Sequence, residues 1–215
     1  MTGLRGRRLP LTVLVVAVAA LVASLVWVTG GTGSSPWRTG PGAMMGSVST
    51  GAPVRSFADA DRAAERFAAP RQLHVGEVML FSNGYYAELL DRAGRRATEV
   101  LIDPGSGTVR LEYGPAVMWN TAYGRMPVPT RATAVGPDRA VDIADRWLAG
   151  HRPGEHAAEP DAFPGYYTLH TLDGTGRITG MLSVNAATGQ VWHHTWHGTF
   201  IQLQEHPETD PGRNE

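Results

Sequence analysis

The sequence of 215 residues contains no cysteine, which excludes disulfide frameworks, thiolate zinc sites, iron–sulfur clusters and cysteine nucleophiles. It also contains no lysine, so its 19 basic residues are all arginine. Charged residues make up 18% of the chain and nearly cancel, to a net charge of -1, which gives no reason to expect a nucleic-acid partner. Signatures of common chemistry are missing too: there is no H-E-x-x-H, no P-loop, no G-x-S-x-G and no dinucleotide fingerprint. Gly174-x-Gly176-x-x-x-Gly180 has the wrong spacing for the last of these and falls in an expected hairpin. Acids are scattered over helices and loops, so no catalytic pair can be chosen from spacing and no enzyme is expected.

One long apolar run is present. Leu11 to Val28 reads LTVLVVAVAALVASLVWV, with only Thr12 and Ser24 polar, and as a helix would reach about 27 Å. Arg5, Arg7 and Arg8 precede it and the next arginine is Arg38, so the positive-inside rule puts residues 1–10 in the cytoplasm and the rest outside. A cleaved signal peptide is the competing reading, but the run is longer than a usual signal core and no clean A-x-A site follows. Residues 11–29 therefore read as an uncleaved single-pass anchor in the cell membrane. The Gly-, Ser-, Thr- and Pro-rich stretch over residues 30–55 reads as a flexible tether.

Beyond the tether the sequence repeats. SFADADRAAERFAAP from Ser56 matches GPDRAVDIADRWLAG from Gly136, with Phe67 corresponding to Trp147. Each predicts an amphipathic helix: Ser56 caps the first, Pro137 opens the second, and Gly150 is placed to end it. Then GYYAELLDRAGRRATEVLIDPGSGTVRLE from Gly84 matches GYYTLHTLDGTGRITGMLSVNAATGQVWHH from Gly165. The paired D-x-x-G-R segments at Asp91 and Asp173 predict hairpins, and the turns opened by Asp103 and Asn185 predict Asx-stabilised bends ending in glycine. Asp103 is thus a turn former and not a catalytic carboxylate. The β-rich segments between turns predict antiparallel strands with one buried face. The expected fold class is α+β, with each unit a helix packed on a meander of about four strands. The units are bounded at residues 56–112 and 136–204, joined by a Met- and Trp-rich linker over 113–135 and followed by a polar, disordered tail over 205–215.

This pattern resembles the PepSY domain, a family known from propeptides of thermolysin-type metallopeptidases and from exported or membrane-anchored bacterial proteins. The likeness rests on the helix leading into a strand, the Tyr-containing second strand, the D-x-x-G-R hairpin and IDPGSGTV. It covers about Ser56 to Glu112, and more loosely Gly136 to His194, where Asn185-Ala186 replaces Asp-Pro. The resemblance implies two tandem noncatalytic units that bind or modulate a protein partner such as a peptidase or a membrane protein. It carries no shared catalytic residues.

VWHHTWHGTF, from Val191 to Phe200, holds three histidines in ten residues. In a straight strand His193 and His197 would share a face about 13 Å apart, too far for one ion whose donors must lie within roughly 4 Å of each other. His193 and His194 would point to opposite faces. Only a bend near His197-Gly198, or ligands from elsewhere such as Met118, Met126 or His170, would complete a site. The alternative function is therefore copper or haem binding through His193, His194, His197, Met118 and Met126, with Cu(I) the natural partner of thioether and imidazole. The leading expectation has no cofactor, and there Met118, Trp119, Asn120, Tyr123 and Met126 cover the open end of a sheet or fill the junction between units.

Overall fold

The computed structural model describes residues 47–49, 51–125 and 133–204. The expected anchor over residues 11–29, the expected tail over 205–215 and Met126 lie outside the described residues. Among the described residues no helix is long and apolar enough to cross a membrane.

In chain order the elements are β1 (Val48–Ser49), α1 (Phe57–Ala68), β2 (His74–Phe81), β3 (Gly84–Leu90), β4 (Arg96–Ile102), β5 (Thr108–Leu111), α2 (Pro115–Met118), α3 (Pro137–His151), β6 (His156–Phe163), β7 (Tyr166–Leu172), β8 (Ile178–Asn185), β9 (Val191–His193) and β10 (Phe200–Gln204). The fold is α+β and its strand pairs are antiparallel. α1 begins where Ser56 accepts a hydrogen bond from the Asp59 amide at 3.2 Å, satisfying one of the free N–H groups of a first turn. α3 runs through Gly150 to His151, one residue past its expected stop, and closes without a left-handed glycine.

The turns follow the repeat closely. Asp91 Oδ1 accepts from the Ala93 and Arg95 amides, and Asp173 Oδ1 from those of Thr175 and Arg177. Asp103 Oδ1 accepts from the amides of Gly105 and Ser106, and Asn185 Oδ1 from Ala187 and Thr188. Both of these turns close through a glycine at positive φ, Gly107 and Gly189.

The strand alternation sorts side chains onto two faces of each sheet. In the first sheet Phe67, Ala60 and Ala64 of α1 pack on Tyr85, Ala87, Leu89, Val100 and Ile102. In the second, Ala140, Ala144 and Leu148 of α3 pack on Tyr167, Leu169, Leu182 and Val184. The intervening residues, among them Tyr86, Glu88 and Glu99 of the first sheet and Tyr166, Thr168 and Ser183 of the second, are buried as well. They meet at a seam where the two sheets face each other, and this makes a four-layer stack of helix, sheet, sheet and helix.

Two strands leave the expected boundaries. β1 lies inside the stretch expected to be a tether, and it pairs with β5 through Val48↔Val109. β10 falls within the residues expected to form the second unit but pairs with β2 of the first, so the first sheet has the order β1-β5-β4-β3-β2-β10 and the second β6-β7-β8-β9. The return is pinned by hydrogen bonds from the Gly198 amide to Asn83 Oδ1 at 2.9 Å and from the Thr199 amide to Ser82 Oγ at 3.0 Å. Of the linker residues, Trp119 is buried against Phe163, Tyr166 and Trp192, while Met118 and Tyr123 stand 46% and 36% exposed. Only part of that aromatic segment therefore fills the junction.

Candidate functional site

Polar and ionisable side chains are concentrated at the seam, where burial makes each unmade hydrogen bond costly. Glu88 and Glu99 sit directly opposite each other on β3 and β4, an arrangement that two bare carboxylates would oppose. Each has its own partners. Glu99 accepts from Tyr86 Oη at 2.8 Å, from Tyr166 Oη at 2.6 Å and from Thr168 Oγ1 at 2.8 Å. The last two reach it from the second sheet. Arg96 holds Glu88 at 3.1 Å and Asp161 of β6 at 2.7 Å, and His170 of β7 lies 3.3 Å from Glu77 of β2. The seam is thus cross-linked at three points.

A further cluster closes one end. Glu112, immediately after β5, has its amide on the Glu99 carbonyl at 2.9 Å. β9 ends at His193, and the chain then turns instead of continuing straight through Trp196. The turn brings His197 Nε2 to 2.7 Å from Glu112 Oε1, Trp196 Nε1 to 3.1 Å and His194 Nδ1 to 3.3 Å from the same oxygen. His194 Nε2 is hydrogen-bonded to Ser183 Oγ at 2.9 Å, and Ser183 in turn to Thr168 at 3.0 Å. His197 stacks on Phe81 with ring centres 4.2 Å apart. The carboxylate and both imidazoles are almost wholly buried.

Burial is the largest influence on both glutamates, pushing each toward the neutral acid. At Glu99 the nearby Glu112 charge adds to it, and the carboxyl rises to about 7. At Glu112 the His194 charge and the contacts from His194 and His197 overcome burial and hold the carboxyl at about 2. Burial pushes His194 down, but attraction to Glu112 raises it overall. For His197 burial wins and its pKa is lowered. The Glu112 carboxylate thus favours a proton on His194, while burial disfavours one on His197.

The expected ligand set is divided by this geometry. His194 and His197 come together, and Glu112, which was not singled out in the sequence, joins them. His193 lies on the opposite face, stacked on Trp147 of α3 with ring centres 5.3 Å apart. Met118 is half exposed while the His–Glu cluster is sealed. The seam residues Glu99, Tyr86, Tyr166, Thr168 and Ser183 also escaped the sequence. Their one signal was polar residues recurring every second position in strands whose alternate face is apolar.

Away from the seam, a shallow surface depression of about 250 Å³ is lined by Arg71, Arg92, Arg95, Asp91 and Tyr123, among others. Arg95 is paired with Asp91 at 2.7 Å.

No family model matches the chain. No curated protein matches it either. Among solved structures, similarity is found to the Bacillus megaterium YpeB C-terminal domain, at 13% identity and a TM-score of 0.26, over 65% of this chain and 62% of that one. A likeness at that level assigns neither family nor function.

Proposed function

We propose that the chain is a noncatalytic, membrane-anchored, extracytoplasmic pair of PepSY-like units that works by contact with a protein partner such as a peptidase or a membrane protein. The observation that carries this is the location of the ionisable groups. Among the described residues, the buried carboxylates and histidines are engaged between the sheets, where they join the units, and do not converge on an open cleft of the kind a substrate would need. A depression around Arg71, Arg92, Arg95 and Tyr123 does face solvent. Guanidinium groups beside an aromatic ring suit recognition of an acidic segment of a partner. The outer edge of β10 is unpaired among the described residues, with Ile201 55% exposed, and gives a second place for contact.

The test is crosslinking of the full chain in its native membranes, with a photoreactive residue at position 92, followed by pull-down across several growth conditions. A specific crosslinked protein is expected, and Arg71→Glu with Arg95→Glu should abolish it. Absence of any protein above the uncrosslinked control in every condition would overturn the reading.

A further inference from the structure

We infer that Glu112, His194 and His197 form a binding site for one borderline divalent cation of the Zn²⁺ type. This inference is independent of the partner-binding reading. One ligand atom from each of the three residues lies within 4.8 Å of the others. Tetrahedral coordination at about 2.0–2.1 Å places donors about 3.3 Å apart. The His194 Nδ1 to Glu112 Oε1 separation is 3.3 Å and the His197 Nε2 to Oε1 separation 2.7 Å, so a small opening of the second contact admits an ion.

Hydrogen bonding alone leaves the cluster incomplete. Glu112 Oε1 is well served by Trp196 and His197. Glu112 Oε2 and His194 Nδ1 are buried and have no hydrogen-bond partner. A carboxylate oxygen and a deprotonated imidazole nitrogen are both metal donors, so a cation at the cluster would engage groups that hydrogen bonding leaves unused.

The outer contacts also fit. A histidine ligand needs its second ring nitrogen held, which fixes the tautomer and the ring orientation. Ser183 Oγ does this at His194 Nε2, leaving Nδ1 to face Glu112. Trp196 Nε1 steadies the carboxylate. The scaffold is firm on two sides: the Glu112 amide is tied to β4, and the His194 amide donates to the Met181 carbonyl at 3.0 Å. The third ligand arrives on the connection between β9 and β10, where Thr195 is exposed, so a local displacement of that connection would let an ion in.

Donor type selects among ions. Two imidazoles and a carboxylate suit Zn²⁺ and its divalent neighbours. Ca²⁺ and Mg²⁺ favour all-oxygen shells, and Cu(I) favours the sulfur that Met118, half exposed, does not bring to the sealed cluster.

The experiment uses the full-length chain purified in detergent and stripped with a chelator. Zn²⁺ alone is titrated in competition with a chromophoric chelator, and Co²⁺ replaces it for visible spectroscopy. The expected result is one Zn²⁺ per chain, intense four-coordinate Co²⁺ bands, and affinity reduced about tenfold or more in both Glu112→Gln and His197→Asn. His193→Asn should bind like the parent. The inference is overturned by the absence of saturable Zn²⁺ binding, by unchanged affinity in Glu112→Gln, or by equal loss in His193→Asn. Should the site variants fail to fold, X-ray absorption at the zinc edge of the parent chain decides, and a spectrum without imidazole scattering overturns it.

Discussion

Glu99 and Glu112 lie at the same seam, both sealed from solvent, and they adopt opposite states. Glu99 is surrounded by the hydroxyls of Tyr86, Tyr166 and Thr168, which bring hydrogen bonds but no charge, and its pKa rises to about 7. Glu112 faces His194 and His197 and falls to about 2. Burial does not decide whether a carboxylate ionises; the charge of its neighbours does. A hydroxyl-lined site tolerates either form of the acid, whereas an imidazole-lined site holds the anion.

The largest effect should come from removing the anion that faces His194. In Glu112→Ala the buried His194 and His197 lose their shared partner, and a loss of about 3–5 kcal/mol is expected, measured by urea denaturation at pH 7 with chelator present. A loss below about 1 kcal/mol would mean that the pair does not hold the seam.

Next in size is the pH dependence of the parent chain, again with chelator. A carboxyl whose folded pKa is raised binds its proton more tightly in the native state, so the stability linked to Glu99 is complete below pH 4.5 and is lost between there and about 7. The lowered carboxyl behaves oppositely: stability linked to Glu112 is complete above pH 4.5 and is lost toward about 2. Each limb is on the order of 3 kcal/mol. Raised His194 steepens the alkaline limb, whereas lowered His197 works against it. Glu99→Gln should flatten the alkaline limb and leave the acid one, and urea midpoints from pH 2.5 to 8 would show it.

Tyr166→Phe removes the 2.6 Å hydrogen bond to Glu99. It should cost about 1–3 kcal/mol and move the alkaline limb to higher pH, because that contact favours the ionised acid. The smallest change is expected from His193→Ala. That side chain stacks on Trp147 on the helix side of the second sheet, so a loss of about 0.5–1 kcal/mol with both pH limbs intact should appear in the same titration.

The parts of this architecture that are local in sequence were legible there. Ser56, Asp91, Asp103, Asp173 and Asn185 each act on backbone groups two to four residues away, and such turns are encoded where they form. The opposite orientation of His193 and His194 followed from the period of a strand. Alternation shows that a strand has two faces but not what covers them, so Glu88, Glu99 and Thr168 gave no sign of facing a second sheet. The destination of β10 was equally hidden, because pairing with β2 depends on Asn83 and Ser82, far away in the sequence. The turn after His193 is part of that same return. Glu112 could not be matched with His194 and His197 until it was in place.

Of the described strands, the one that completes the first sheet is made last. A chain emerging from its N-terminus can assemble β1 through β5 and α1 early, yet the outer edge of β2 stays uncovered until Phe200–Gln204 follow. Through that interval the first sheet has an open template for another chain's strand. Its assembly is therefore most vulnerable during synthesis. A truncation before Phe200 would extend that vulnerable interval indefinitely, and a defect in the last few residues of the fold would be felt first in its opening half.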